Sequence, residues 1–104
     1  EDSNRIHSRH LFPIRLRTGA LTIDRNTFVQ KMKESGVGFS VHWRPLHLHP
    51  YYETQGWHPD DCPAATCEWE RLISLPLFSG MTDREIDYVS GVVKTLIVRN
   101  RRGV

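Results

Sequence analysis

The alternation of hydrophobic and polar positions near the start of the chain predicts a β-strand over residues 10–17. Three apolar side chains at every second position share one face of this segment: Phe12, Ile14 and Leu16. A two-residue period is the signature of a half-buried strand. Pro13 has no N–H to donate to a ladder, so we expect the strand to lie at an edge or to be paired on one side there.

Two helices are predicted with defined ends. Asp24 is a suitable N-cap for a helix that carries Phe28, Val29 and Met32 at helical spacing, and Gly36 suits the left-handed position that ends it. Near the C-terminus, Thr82 and Glu85 form a capping box. A core-facing stripe is predicted to follow it: Ile86, Val89, Val93, Leu96 and Ile97.

The middle of the chain predicts a second strand, a loop and a third helix. Apolar residues alternate over residues 37–43, which places His42 on the face opposite the core set: Val37, Phe39, Val41 and Trp43. After a helical turn at residues 51–55, Asp61 is the expected N-cap of a helix with Pro63 in its first turn. The apolar stripe predicted for that helix is Ala65, Trp69, Leu72 and Ile73.

The predicted order of elements favours an α+β fold, with a small few-stranded sheet and helices packed on one side. Residues 74–77 are too short and too interrupted by Pro76 for a central strand, so we interpret them as an extended connector or edge piece. Residues 1–8 form a polar lead-in, and residues 9–104 form a single domain. With no initiator methionine, the chain is expected to be cut from a longer protein.

Composition and charge exclude several classes of function. The net charge of +2 is too small to argue for nucleic acid, and the basic residues of 99–102 are interpreted as a helix-dipole complement or a solvated end. No apolar run is long enough for a membrane span. Cys62 and Cys67 do not have the spacing of a redox pair, so reduced thiols in a cytoplasmic protein are the simpler interpretation.

Residues 41–52 hold the candidate chemistry, including three of the six histidines. The spacing of His42, His47 and His49 matches no strong zinc motif, and no metal site is expected. Nucleophilic and phosphate-loop motifs are not found. An anion-binding Arg44 beside His42 and two tyrosines suits a polar, anionic small molecule, with an interaction or structural module as the alternative.

Three segments together resemble the C-terminal domain of the DegT/DnrJ/EryC1/StrS sugar aminotransferases. The first is HLFPI at residues 10–14, which is similar to the strand that opens that domain. The second is GVGFSVHWRPLH at residues 36–47, with PYY at residues 50–52. The third is ERLISLPLFSGMT at residues 70–82. In this order, the resemblance covers the chain from about residue 9 to residue 98.

The resemblance implies one domain of a fold type I enzyme that depends on pyridoxal 5′-phosphate (PLP). Such enzymes transfer an amino group, usually from glutamate, to a nucleotide-linked keto-sugar for lipopolysaccharide, O-antigen or antibiotic sugar synthesis. They are typically homodimers. The large domain that carries the cofactor-binding lysine is absent from this chain, since Lys31, Lys33 and Lys94 do not match the lysine motif. The fragment is therefore expected to be inactive alone, to bind no PLP by itself and to contain no catalytic residue.

His42 is the residue that the resemblance transfers best, in contact with the substrate or the cofactor-bound amino acid. Arg44, His47 and Tyr52 are implied as further contacts to the sugar nucleotide. Trp43 and residues 56–58 depart from the family pattern, so the particular sugar is left open. A free-standing ligand-binding or protein-interaction module is the alternative. Isolation is expected to expose a docking face and to favour self-association.

Overall fold

The computed structural model describes residues 3–103, so residues 1–2 of the predicted lead-in and residue 104 of the predicted domain lie outside the described residues. Its strands and α-helices, in chain order, are β1 (Phe12–Arg15), α1 (Arg25–Glu34), α2 (Pro50–Thr54), α3 (Pro63–Arg71), β2 (Leu72–Leu75) and α4 (Asp83–Arg99). Single turns of 3₁₀ helix lie in the connections, at Thr18–Ala20, Leu46–Leu48 and Pro59–Asp61. The α+β fold class predicted from the sequence is confirmed.

The sheet has two strands, β1 and β2, and one isolated bridge joins the other side of β2 to Ser40. β1 runs antiparallel to β2, and Pro13 lies opposite Ser74. On the other side of β2, Ser74 exchanges two backbone hydrogen bonds with Ser40, at N···O distances of 2.8 and 3.1 Å. Because the N–H and C=O of Ser74 both point toward Ser40, Pro13 occupies a position of the ladder where no donor is needed. The predicted edge position of Pro13 is confirmed.

Residues 74–77 were interpreted as an extended connector or edge piece. Ser74 and Leu75 are the last two residues of β2 in the two-stranded sheet, and residues 76–77 follow the strand as a connector. Burial accounts for the short strand. Ile73 is fully buried and Ser74 is 5% exposed, and a short strand is stable where its side chains are removed from water. Pro76 comes directly after the strand and ends it.

The predicted second strand over residues 37–43 was wrong, because only Ser40 pairs with β2. The next paired positions would be Gly38 with Pro76 and His42 with Leu72. Pro76 has no N–H to give, and the N–H of Leu72 already donates to the carbonyl of Glu68 at the end of α3. The carbonyl of His42 accepts from the Trp69 indole instead. The ladder is therefore blocked on both sides of its single bridge.

The helix ends of α1 and α4 are confirmed. Asp24 accepts a hydrogen bond from the Thr27 N–H at 2.7 Å, and this N–H lowers the pKa of the Asp24 carboxyl. The capping box of α4 is formed in both directions, and Thr82 lowers the pKa of the Glu85 carboxyl. Gly36 closes α1 with φ of 71°, which is the left-handed region that favours glycine.

The N-terminus of α3 differs from the prediction. Cys62 is its N-cap residue, and Asp61 accepts from the N–H of His58 at 2.6 Å to close the preceding 3₁₀ turn. Pro63 does occupy the first helical turn. Asp61 cannot cap both elements, because its carboxylate is already turned toward the start of the earlier one.

The hydrophobic core lies between α1, α4 and β2. Phe28, Met32 and Ile73 are fully buried. They pack in one cluster with Leu16, Leu21, Val29, Val37, Val93 and Leu96. The stripe predicted on α4 is only partly inside this core, since Ile86 and Ile97 are exposed.

The C-terminal tail has exposed arginine side chains on a paired backbone. Residues 100–102 run beside residues 20–22, where the N–H of Thr22 donates to Asn100 O at 2.8 Å and the N–H of Arg102 donates to Ala20 O at 3.0 Å. The Arg102 side chain adds a bond from Nε to Leu21 O at 2.7 Å. The basic tail is therefore held beside residues 20–22 through its backbone.

The molecule is more extended than a compact domain of its size. The Cα radius of gyration is 16.2 Å, whereas a compact chain of 100 residues has a radius of about 13 Å. Residues 41–62, here named the site arm, contribute only His47 and Leu48 to the buried set. The arm joins the Ser40 bridge to α3 and holds every ligand contact predicted from the sequence.

Candidate functional site

The site arm is held against α3 by a small number of polar contacts. His42, Arg44, His47 and Tyr52 all lie on it, as the sequence requires, but the structure gives them different environments. His42 and Arg44 contact the side chain of Trp69 in α3. His47 is buried against α3, and Tyr52 lies on the short helix α2.

His42 is half-buried and is held at two points. Its ring Nε2 lies 3.3 Å from the hydroxyl of Ser74 in β2, and its backbone carbonyl accepts a hydrogen bond from Trp69 Nε1 at 2.9 Å. β2 therefore holds the ring of His42, and α3 holds its backbone. The other ring nitrogen, Nδ1, is left to meet a ligand.

Arg44 is the accessible arginine of the arm, with 47% of its side chain exposed. Its guanidinium carbon lies 6.0 Å from the centre of the Trp69 ring. One guanidinium nitrogen lies 3.9 Å from Glu53, and both of these side chains are about half exposed. An exposed ion pair at this distance contributes little to stability and can be replaced by a competing anion. Arg44 can therefore offer a planar set of N–H donors to a phosphate or carboxylate.

His47 is buried, with 7% of its surface exposed. Its Nε2 lies 2.8 Å from the hydroxyl of Thr66 in α3. That hydroxyl can donate its single proton to the carbonyl of Pro59 or Cys62. In either tautomer, His47 Nε2 and the Thr66 hydroxyl form one hydrogen bond. The structure places His47 as a link between the arm and α3, and this nitrogen is not available to a ligand.

Tyr52 is half-buried on α2. Its ring meets that of Tyr51 edge to face, with centroids 5.2 Å apart and planes at 86°, an arrangement that aromatic pairs favour. Tyr51 is 68% exposed, so the pair presents an aromatic surface. This surface follows Arg44 by seven residues in the sequence. Such a surface suits a base or sugar ring better than a charged group.

Trp69 is the residue that the sequence analysis misplaced. It was predicted to belong to an apolar core stripe, but its indole is half-buried outside the core cluster. It contacts His42, Arg44 and Arg25 instead. Ala65 of the same stripe is exposed. Because α3 ends at Arg71, the stripe is divided between a helix and β2, and its members do not share one face.

Arg25 was not identified from the sequence at all. It is 7% exposed, at the first position of α1, and its Nη1 donates to Trp69 O at 2.7 Å. Its guanidinium carbon lies 4.9 Å from the centre of the Trp69 ring. Arg25 and Trp69 are 44 positions apart in the sequence. No local sequence pattern therefore predicts this contact.

A second polar cluster ties α3 to β1. Glu68 pairs with Arg71 on the same helix and, at 3.6 Å, with Arg15 of β1. The hydrogen bond from Arg71 lowers the pKa of the Glu68 carboxyl and raises that of the Arg71 guanidinium. These side chains are too exposed for the pairs to contribute much to stability, but they orient α3, which carries Trp69 and Thr66.

The lysines and cysteines of the chain lie outside the group of candidate ligand contacts. Lys31 and Lys33 lie on α1 and Lys94 on α4, whereas the candidate ligand contacts lie on the site arm. Cys62 and Cys67 are free thiols. Within residues 3–103, no group of histidine, cysteine and carboxylate side chains is arranged to hold a metal ion. No helix in this range is both long and apolar enough to cross a lipid bilayer.

An apolar groove of about 860 Å³ lies away from the site arm. It runs between the segment after β2 and the start of α4, and is lined by Val37, Pro76, Phe78, Met81, Tyr88 and Val89 among others. Phe78 and Tyr88 are both more than half exposed. Thr82, Arg84 and Glu85 also line the groove, but it contains none of the candidate ligand contacts, so we do not place the ligand there.

With this geometry in place, the comparison with known proteins decides the family. The model of the DegT/DnrJ/EryC1/StrS aminotransferase family matches residues 1–94. The chain belongs to this family. The match includes β1, the site arm, α3, β2 and most of α4, and it confirms the family indicated by the three sequence segments.

Two curated relatives match almost the whole chain. The uncharacterized protein MJ1066 of Methanocaldococcus jannaschii is 41% identical over 96 residues, which is 91% of this chain and 25% of that protein. The spore coat polysaccharide biosynthesis protein SpsC of Bacillus subtilis is 33% identical over 93 residues, which is 88% of this chain and 24% of that protein. The chain therefore spans about a quarter of the length of these relatives.

Solved structures of one Streptococcus pneumoniae protein, Spr1654, have the same fold over this region. Spr1654 is assigned as a sugar aminotransferase, and its structures are described as PLP, PMP and apo forms. The PLP form superposes with a TM-score of 0.78 and the PMP form with 0.77, at 33% identity. The match covers 88% of this chain and 23% of that protein.

Proposed function

We propose that this chain is the small C-terminal domain of an enzyme that transfers an amino group from glutamate to a nucleotide-linked keto-sugar. The observation that carries the proposal is the match to the sugar aminotransferase Spr1654, which extends over 88% of this chain but only 23% of that protein. The rest of the enzyme would supply PLP and the lysine that binds it. Residues 9–104 would form the domain, after the lead-in at residues 1–8.

In this proposal, the site arm binds the substrate and does not perform the chemistry. PLP, when bound to the complete enzyme, supplies the electron sink for amino-group transfer. The Arg44 guanidinium would bind a phosphate oxygen, while the ring of His42 would donate to the substrate and Tyr52 would pack against its base or sugar. His47 keeps a smaller role than the sequence implied, because its Nε2 holds Thr66.

The same proposal includes the partners of the domain. The exposed side chains Phe12, Leu77 and Phe78 lie around the apolar grooves near β1, β2 and α4, and we place the large domain of the same polypeptide on that surface. A homodimer in the cytoplasm completes the proposal. Cell-surface polysaccharide synthesis, lipopolysaccharide included, is the favoured pathway class, since SpsC is named for spore coat polysaccharide. Antibiotic sugar synthesis is the alternative pathway class.

The test uses the complete polypeptide encoded by the gene. It is incubated with PLP, and the visible absorbance of the bound cofactor is followed as glutamate is added. We expect the band to be lost with glutamate and to return when a nucleotide-linked keto-sugar is supplied. His42→Ala should then weaken turnover, while His10→Ala, an exposed histidine outside the arm, should leave it unchanged.

A complete polypeptide that binds no PLP would overturn the proposal and leave a free-standing binding or interaction module as the function. Oligomeric state gives a second check. The 104-residue chain alone exposes the apolar side chains that the large domain would cover, so it should self-associate as its concentration rises. A strict monomer at high concentration in sedimentation would contradict the covered surface.

A further inference from the structure

Trp69 connects the site arm to the buried part of the domain. It lies near the end of α3, and its side chain contacts residues on both sides. Toward the arm, its indole N–H donates to the carbonyl of His42 and its ring lies 6.0 Å from the guanidinium of Arg44. Toward the core, its ring lies 4.9 Å from the guanidinium of Arg25.

The contact with Arg25 fixes Trp69 from the inner side. Arg25 is 7% exposed, and three of its hydrogen bonds hold the guanidinium in one orientation. Nη1 donates to Trp69 O at 2.7 Å, and Nε and Nη2 both donate to Asn26 Oδ1. A buried cation over an indole is attracted by the negative electrostatic potential at the face of the ring. Backbone and side chain of Trp69 are therefore held by the same guanidinium.

The contacts with His42 and Arg44 fix the outer side. A guanidinium near an aromatic face keeps its N–H edges free for an anion while losing part of its rotational freedom. Ordering a long side chain before binding reduces the entropy that a ligand must overcome. The indole N–H, by holding the carbonyl of His42, also limits the movement of the backbone that carries Arg44 two residues later.

We propose that Trp69 is the positioning residue of the candidate site. Anchored on Arg25, it presents the guanidinium of Arg44 and the ring of His42 to the anionic part of the sugar nucleotide before the substrate arrives. This inference rests on the proposed function for the nature of the ligand. Trp69 itself does not touch the substrate, and it acts through Arg44 and His42.

A purely structural role for Trp69 makes a different prediction. Trp69 lies outside the hydrophobic core cluster, so its replacement should lower stability less than the loss of a fully buried side chain. A positioning role should instead raise the KM for the nucleotide-linked keto-sugar and leave kcat and the KM for glutamate unchanged, because only the arm's hold on the sugar nucleotide is weakened.

The experiment compares Trp69→Leu and Trp69→Phe in the complete polypeptide. Trp69→Leu removes both the ring face and the indole N–H, and should raise the KM for the sugar nucleotide roughly tenfold. Trp69→Phe keeps an aromatic face without the N–H donor, and should recover part of the loss. Cys67→Ala is the control on the same helix, since Cys67 is exposed and lies outside the site arm, and the KM of this variant should not change.

A second measurement does not depend on activity. In protein labelled with ¹⁵N-arginine, the Nε–H proton of Arg44, assigned by its loss in Arg44→Lys, should be displaced by the ring current of Trp69 and should return to the position of a free arginine in Trp69→Leu. An unchanged signal, or a fall in kcat at constant KM, would overturn the inference. Absence of transamination in the unchanged protein would overturn the proposed function alone, because the Arg44 signal still reports the contact.

Discussion

The core and the site arm are held in place by different forces. Phe28, Met32 and Ile73 are fully buried between α1, α4 and β2, and burial of such side chains contributes about 1.5–3 kcal/mol each. In the arm, Trp43 is 95% exposed and Leu46 is 67% exposed. The arm depends instead on hydrogen bonds from His42, His47 and Trp69 to groups far away in the sequence.

The difference shows that hydrophobic residues do not by themselves make a region part of the core. The arm contains four Trp and Tyr side chains, whereas the core cluster contains Phe28 as its one aromatic, yet Trp43, Tyr51 and Trp57 are exposed. A region that is held by a few polar contacts can adjust to a ligand or a neighbouring domain, whereas the packed core cannot. The predictions below test this division, from the largest expected effect to the smallest.

Phe28→Ala should cause the largest loss of stability. It removes a fully buried ring from the core and leaves a cavity, which lowers the free energy of unfolding by about 3–5 kcal/mol. Urea denaturation followed by far-UV circular dichroism measures the change. Trp43→Ala is the control in the arm, and should change the unfolding free energy by less than about 0.5 kcal/mol. Equal losses in the two variants would contradict the division.

Thr66→Val should loosen the arm without affecting the core. It keeps the size of the side chain but removes the hydroxyl that pairs with Nε2 of buried His47, and an unpaired buried polar group costs about 1–3 kcal/mol. Amide hydrogen exchange should become faster at Leu48 and His49, while the amides of α1 keep their rates. Thr54→Val removes an exposed hydroxyl on the same arm and serves as the control. A uniform rise in exchange across the chain would show that arm and core unfold together.

Ser74→Ala and Ser40→Ala form a matched pair at the bridge between β2 and the arm. Both residues keep their backbone bonds, but only Ser74 has a side chain that reaches His42, at 3.3 Å. Ser74→Ala should therefore lower the unfolding free energy by about 0.5–1.5 kcal/mol and shift the ring ¹⁵N signals of His42. Ser40→Ala should do neither. Identical spectra for His42 in all three proteins would exclude the contact.

The smallest effect is the pH dependence of the two helix starts. The pKa values of Asp24 and Glu85 are lowered by hydrogen bonds in the folded state, from ordinary values of 3.8 and 4.5. Their stabilising contribution is therefore complete above these ordinary values and is lost as the pH falls through the lowered ones. The urea midpoint should fall between pH 5 and pH 3. The double variant Asp24→Asn with Glu85→Gln keeps both caps without their charge and should show a smaller fall; an equal fall would assign the pH dependence to other groups.

Much of the fold follows from short stretches of sequence. The helix starts at Asp24 and Thr82 and the glycine that ends α1 are decided by groups within four residues of each other, so local patterns are enough to find them. The failures lie where pairing is remote. Whether the residues on either side of Ser40 form a strand depends on which backbone N–H groups of β2 are free. The N–H of Leu72 is already bonded to the end of α3.

The site divides in the same way. The sequence by itself located the arm and the family, because a cluster of histidines, tyrosines and an arginine at residues 41–52 and the segments around it lie close together along the chain. Only the tertiary structure separated buried His47 from accessible Arg44, and only it showed Trp69 between Arg25 and the arm. These contacts join residues 19–44 positions apart, and chain folding, not local spacing, brings such residues together.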